Sequence, residues 1–279
     1  MATYIRPAAL DDALAALADG DRMILAGGTD YYPARVGRPL DDDVVDITGL
    51  TGLRGIDEQD GTYRFGALAT WTDVLRADLP PWFDGLKLAA REIGGVQVQN
   101  AGTVVGNLCN ASPAADGVPN LLALDAAVEL AARDGRRTLP LDAFLVGNRA
   151  TARRPDEIVT AVLVPPPPAA ARSTFAKLGA RRYLVISIVM VAVVLASAAD
   201  GTVADVRVAV GACSATAQRL PELEAALRGR PLDAGLAAAA TADHLVPLAP
   251  IDDVRGTAGY RRDAALTLVR RALAGLASA

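Results

Sequence analysis

Four consecutive prolines, Pro165 to Pro168, constrain this chain more than any other stretch. Proline fixes φ and donates no main-chain N–H, so four in a row continue neither a helix nor a sheet and form an extended link. The sequence changes style across the link. Before it, short apolar runs alternate with helical and glycine-bearing segments. After it come long strand-like runs and then only helices. We place a domain boundary there: residues 1–168 form one domain, divisible into subdomains of about 1–57 and 58–168, and residues 169–279 form a second. A chain of 279 residues is long enough for each to bury a core.

In the first domain the pattern predicts a helix over Ala8–Ala18, a strand over Met23–Ala26, a glycine turn, a helix over Asp30–Val36 and a strand over Val44–Ile47. A strand over Tyr63–Leu68 leads to a helix starting near Thr70, where "TWTD" resembles a capping box. A further helix runs from Pro81 to about Ile93 and stops at Gly94-Gly95. Residues 94–126 read as a long glycine-bearing loop, closed by a short helix in "PNLLALDA" that runs into a strand. In the second domain "TFAKLG", the run from Leu184 to Ala199 and "VADVRVAVGACS" read as strands, the last two joined by a hairpin at Asp200-Gly201. Helices follow over Glu222–Arg228, about Leu232–Ala242 and Tyr260–Leu276. Strands first and helices afterwards predict an antiparallel sheet with helices packed on one face.

Composition narrows the function classes. A net charge near −4 argues against nucleic acid or an anionic membrane as the main partner. Cys109 and Cys213 are the only cysteines, which excludes a disulfide framework and a four-thiolate metal site and suits a reducing cytoplasm. The N-terminus lacks the basic, apolar and cleavage regions of a signal peptide. The run from Leu184 to Ala199 is shorter than the ~20 residues of a membrane-spanning helix and rich in β-branched residues, so a buried strand is expected.

Two glycine clusters remain. "AGGTD" (Ala26 to Asp30) follows an apolar run, and an isolated glycine pair of this kind makes either a tight turn or an anion cradle. The second cluster lies in "GGVQVQNAGTVVGNLCNASPAADGVPNLLALDA" (Gly94 to Ala126). A loop of this length in a small domain is usually functional. Neither cluster contains a lysine or matches the dinucleotide-fold or P-loop glycine patterns, but the two could clamp a diphosphate between N–H groups and hydroxyls.

With these residues in view, the sequence resembles the FAD-binding medium subunit of the molybdenum hydroxylases, the group of xanthine, carbon monoxide and N-heterocycle dehydrogenases. That family carries A-G-G-T-[DE] and then Q-V-R-N-x-G-T-φ-G-G-N-φ-x-x-A-S-P-x-A-D-x-x-P-x-L-L-A-L-D-A. Here the matches are residues 26–30 and 97–126. "FAKLGARRYLVISIVMVAV", "VRVAVGACSATAQRL" and "IDDVRGTAGYRRDAALTLVRRAL" resemble its later motifs, so the likeness runs in order through essentially the whole chain. The resemblance implies an α+β fold with an α/β-like N-terminal part. It implies a two-lobed FAD-binding domain of the vanillyl-alcohol-oxidase/PCMH type, followed by the C-terminal sheet-and-helix domain.

The same resemblance implies site residues. Ala26, Gly27, Gly28, Thr29 and Asp30 would form one loop against the FAD diphosphate; Thr103, Gly106 and Asn107 would belong to the other. Asp116 would bind the ribityl or adenosine side, and Ile93, Gln97 and Val98 would lie near the isoalloxazine ring. Lys177 would approach the flavin and stabilise negative charge on the reduced ring. No metal site is expected on this chain. Two positions depart from the family: Val105 replaces the first glycine of T-φ-G-G-N, where a β-branched side chain resists positive φ and would crowd a phosphate, and Gln99 replaces an arginine.

Other eye-catching residues have plainer readings. His244, the only histidine, reads as a helix-end residue, and no histidine lies near the first loop, so the FAD should be noncovalent. Cys109 reads as a packing residue, and Asp41, Asp42 and Asp43 as a solvated turn. Arg181 could brace the flavin edge or an interface; Tyr31 and Tyr32 could pack on a partner, on the adenine or in the core.

The expected function is electron relay. A large molybdenum–pterin subunit would oxidise substrate, a small subunit would pass electrons through [2Fe–2S] clusters, and FAD here would reduce NAD⁺, oxygen, a quinone or another redox protein. The complex would be a heterotrimer, or a dimer of heterotrimers, in the cytoplasm. Two cysteines cannot hold those clusters on this chain. A stand-alone FAD-dependent oxidase, or a structural subunit that has lost flavin, are the alternatives.

Overall fold

In the N-terminal stretch, alternating short apolar runs give strand β1 (Tyr4–Ile5), helix α1 (Leu10–Ala18), and strands β2 (Met23–Leu25) and β3 (Val44–Asp46). The computed structural model, which describes residues 2–278, arranges these strands as a parallel sheet of order β1-β3-β2. Helix α1 buries Ala13, Leu14, Ala16 and Leu17, the apolar stripe that its period predicts. The helix expected over 30–36 shrinks to one 3₁₀ turn, Pro33–Arg35. Pro33 starts it, and Gly37 with φ of 75° follows it directly.

The next stretch contains β4 (Ile56–Gln59), β5 (Thr62–Gly66), α2 (Trp71–Arg76), α3 (Asp84–Glu92), α4 (Val96–Ala101), α5 (Val104–Asn110) and α6 (Gly117–Ala123). It continues with β6 (Ala127–Ala132), β7 (Gly135–Pro140), α7 (Leu141–Phe144), β8 (Leu145–Gly147), β9 (Ala150–Thr151) and β10 (Ile158–Val164). Five strands form an antiparallel sheet of order β4-β5-β10-β6-β7. The capping box at Thr70 is complete: its hydroxyl accepts from the Asp73 amide while the Asp73 carboxylate accepts from the Thr70 amide. The long loop expected before the short helix of "PNLLALDA", which is α6, instead holds two further short helices, with Gly95 and Thr103 as the N-caps of α4 and α5. The glycines punctuate helices there.

After Pro165–Pro168, which carry no regular structure, come β11 (Ala171–Leu178), β12 (Val189–Ser197), β13 (Val203–Gly211) and β14 (Gln218–Arg219) in one antiparallel sheet, then α8 (Pro221–Leu227) and α9 (Ala258–Ala277). Strand β12 explains the unbroken apolar run. Val189, Val191, Val193 and Leu195 face a core shared with α8 and α9, whereas Met190, Ala192, Val194 and Ala196 face the core of the first part. A period of two thus sends one strand into two cores. The run does not start in strand conformation: Leu184 has φ of 51°, and β12 begins at Val189. The helix expected over 232–242 is replaced by two 3₁₀ turns, Leu236–Ala239 and Ala242–Leu245, separated by the extended residue Thr241.

The sheet β11–β14 therefore carries its own helices on one face and α3 and α6 on the other. Helix α3 lies directly on β11: a methyl on Gly85 would sit 2.9 Å from the Thr174 carbonyl oxygen, and the Gly85 amide donates to Ser173 Oγ at 2.8 Å. Arg219 completes the seam, donating to the Leu122 carbonyl and to Asp125 across it and to Glu224 on its own side.

Candidate functional site

The first loop leaves β2 at Ala26. Gly27 has no room for a side chain, since a methyl there would lie 1.9 Å from the Ala101 carbonyl oxygen. What comes so close to this backbone is the second glycine segment of the same chain. Gly28 has φ of 69°, and the Tyr32 ring packs over it, 2.6 Å from where a methyl would stand. Thr29 Oγ1 lies against Gly102. Among the described residues, no main-chain N–H of Gly27, Gly28, Thr29 or Asp30 donates to another protein group. Four adjacent amides beside small residues are thus donors that an anion could use.

The second segment is built around the start of α5. Thr103 is its N-cap, with Oγ1 accepting from the Gly106 amide at 2.9 Å, and the Val104 amide donates to the Ala69 carbonyl at 3.0 Å. Val105 sits in the first helical turn and is buried in the core, and its φ is not positive. The feared clash does not arise, because the side chain points into the protein. Asn107 Oδ1 is buried and has no hydrogen-bond partner, and a methyl on Gly117 would crowd it at 2.8 Å. An unpartnered buried acceptor on α5 fits a site that a hydrogen-bond donor completes.

Asp116, at the N-cap of α6, is 6% exposed. It accepts from Lys177 Nζ at 2.6 Å and from the Ser187 hydroxyl, so β11 and the segment before β12 both grip it. Burial pushes its carboxyl above the usual carboxylate range, against the opposing pull of Lys177 and Ser187. Lys177 and Asp116 thus face each other. Lys177 also lines an open cavity of about 350 Å³ with Leu88, Glu92, Phe175, Arg181 and Arg182. Ile93 ends α3 half-buried, Gly94 turns the chain with φ of 57°, and Val98 packs on Gly94 while Gln97 is exposed. Leu184 reaches within 3.8 Å of a methyl built on Gly95, so the segment after Lys177 folds over the start of α4.

The structure thus brings residues 26–30 against 101–103, leaves Gly106 and Asn107 one turn further along α5, and collects Asp116 with Lys177. Sequence reasoning missed Ser187 and Arg149. Arg149 donates to Asp30 Oδ2 at 2.9 Å, and no motif signals it. Arg181 braces its own loop, donating twice to the Leu184 carbonyl. Tyr31 donates to Asp42, which Arg35 also holds at 2.6 Å, and the Asp43 carboxylate accepts from the Thr3 amide, so that acidic run is tied into a turn. His244 accepts from the Thr241 amide at 3.1 Å and caps a 3₁₀ turn. Burial pushes the Cys109 thiol up to about 11, which suits packing and not attack. Among the described residues no group of three or more His, Cys, Asp or Glu side chains is placed to hold a metal, and no helix is long and apolar enough to cross a membrane.

Comparison with known proteins identifies both parts of the chain. Residues 1–167 match the FAD binding domain in molybdopterin dehydrogenase, and residues 173–276 match the CO dehydrogenase flavoprotein C-terminal domain. The nicotine 6-hydroxylase medium subunit of Paenarthrobacter nicotinovorans is 34% identical over 97% of this chain and 95% of that protein. A putative xanthine dehydrogenase FAD-binding subunit of Escherichia coli is 30% identical over 98% and 94%. The solved carbon monoxide dehydrogenase of Hydrogenophaga pseudoflava superposes with a TM-score of 0.90 at 30% identity, covering 99% of this chain and 97% of that one. Matched along both of its parts, the chain belongs to the FAD-binding medium subunits of the molybdenum hydroxylases, oxidoreductases of the carbon monoxide and xanthine dehydrogenase kind.

Proposed function

We propose that this chain is the electron-relay subunit of a three-component molybdenum hydroxylase, with noncovalent FAD held between its two glycine segments. The observation that carries the reading is the row of free amides at Gly27–Asp30, set flush against Ala101 and Gly102. These amides, with Ala26 at the loop's entry, hold the diphosphate from one side; Thr103, Gly106 and Asn107 line the other. Ile93, Gln97 and Val98 lie on the ring side. Asp116 and Lys177 act as one unit: the carboxylate neutralises the ammonium, whose remaining N–H groups are left for the cofactor. When bound, FAD supplies two-electron and one-electron chemistry, linking [2Fe–2S] clusters of a small partner to a terminal acceptor.

Substrate oxidation then belongs to a large molybdenum–pterin partner, and assembly as a heterotrimer or a dimer of heterotrimers follows from this division of labour. The first part is a two-lobed FAD domain of the vanillyl-alcohol-oxidase/PCMH type, joined to the second through the prolines at 165–168. Two free thiols suit a cytoplasmic location. The direct test is the visible spectrum of the purified chain, followed by denaturation and identification of released flavin. Released FAD without substrate turnover supports relay; turnover by the lone chain would replace it with a stand-alone oxidase, and absence of flavin from the assembled complex would refute it.

A further inference from the structure

We propose that Arg149 is a positioning residue for the diphosphate end of the flavin site, acting through Asp30. The inference rests on the reading that the two glycine segments hold the diphosphate. Arg149 sits in the turn between β8 and β9 with φ of 57°, a conformation in which glycine is the low-cost residue. Its amide donates to the Ala111 carbonyl at 2.9 Å, at the left-handed C-cap of α5. One terminal nitrogen, Nη1, donates both to Asn110 Oδ1 and to Asp30 Oδ2. One residue therefore ties the end of α5 to the first glycine loop from outside the cradle.

Two physical consequences follow. The ion pair is open to water, with side chains 55% and 54% exposed, and such pairs add little to global stability. Its effect is local. A loop with two adjacent glycines is costly to order, and fastening Asp30 reduces the ordering left for the moment of binding. Asp30 is also a carboxylate in the loop whose amides await an anion. Left unpaired, it would repel a diphosphate; paired with Arg149, it does not.

The test measures FAD affinity of the flavin-free full chain by fluorescence titration. Arg149→Ala should raise the Kd for FAD about tenfold, and Arg149→Lys, which keeps the charge, no more than about threefold. Asp30→Ala alone should weaken binding less than Arg149→Ala does. Adding Asp30→Ala to Arg149→Ala should restore part of the lost affinity, since the repelling carboxylate is then gone. The midpoint potential and visible spectrum of the bound flavin should not change, because the ring end is untouched. A wild-type Kd in Arg149→Ala, or a double variant no better than Arg149→Ala, overturns the proposal. Gly27→Ala separates this failure from that of the underlying reading: if it leaves FAD affinity intact, the glycine segments are not the diphosphate site.

Discussion

Four adjacent amides at Gly27–Asp30 go unused by the protein, whereas both carboxylate oxygens of Asp116 are taken up by Lys177 and Ser187. The first region keeps its polar groups open by using residues too small to cover them. Its shape comes from backbone pressed on backbone, at Gly27 against Ala101. The second lies deeper and closes its polar groups on one another with charge. Polar groups next to solvent can wait for a ligand, since water serves them meanwhile, whereas most buried ones are satisfied within the fold, Asn107 Oδ1 being an exception. The loop pair is thus the open part of the candidate site and the Asp116 cluster its frame.

The largest expected effect attacks the frame. Asp116→Ala leaves the Lys177 ammonium, 8% exposed, without its partner, and should cost about 3–5 kcal/mol in urea unfolding. Adding Lys177→Met to it should return much of that loss. If the single change were mild, the cluster would not be the frame. Gly27→Ala comes next: overpacking at the loop contact should cost about 1–3 kcal/mol and strip FAD from the purified chain. Retention of FAD would place the anion elsewhere. Val105→Gly restores the family residue yet should destabilise by about 2 kcal/mol, through lost helix propensity and lost burial, with no gain in FAD affinity. A gain would show that Val105 touches the cofactor. The smallest effect is a null one. With thiols at about 11, about one Cys109 or Cys213 side chain in a thousand is ionised at pH 8, so neither should react appreciably with an alkylating reagent until the chain unfolds.

Much of the fold was legible wherever one residue fixes local geometry. Thr70 and Asp73 announce the start of α2, Gly94 the end of α3, and Asp200-Gly201 a hairpin, and each feature is present. The glycines of 94–126 suggest a loop, but several of them separate helices of six or seven residues, too short to show a period. The alanine content of 232–242 favours a helix but does not oppose a 3₁₀ turn bounded by Gly235 and Thr241. In the candidate site, the motifs mark the two glycine segments that the fold presses together. The link from Asp116 to Ser187 spans 71 positions, and that from Asp30 to Arg149 spans 119, so only tertiary structure joins them.

One consequence concerns inheritance. Asp116 belongs to the region that matches one family domain, while Lys177 and Ser187 belong to the region that matches another. The prolines at 165–168 offer an inviting breakpoint for recombination, but a crossover there divides a buried charge pair between two parents. A hybrid folds well only when both parents supply matching halves of that pair. Selection therefore acts on the two halves as one heritable unit, and a change of charge at either position calls for an answering change at the other.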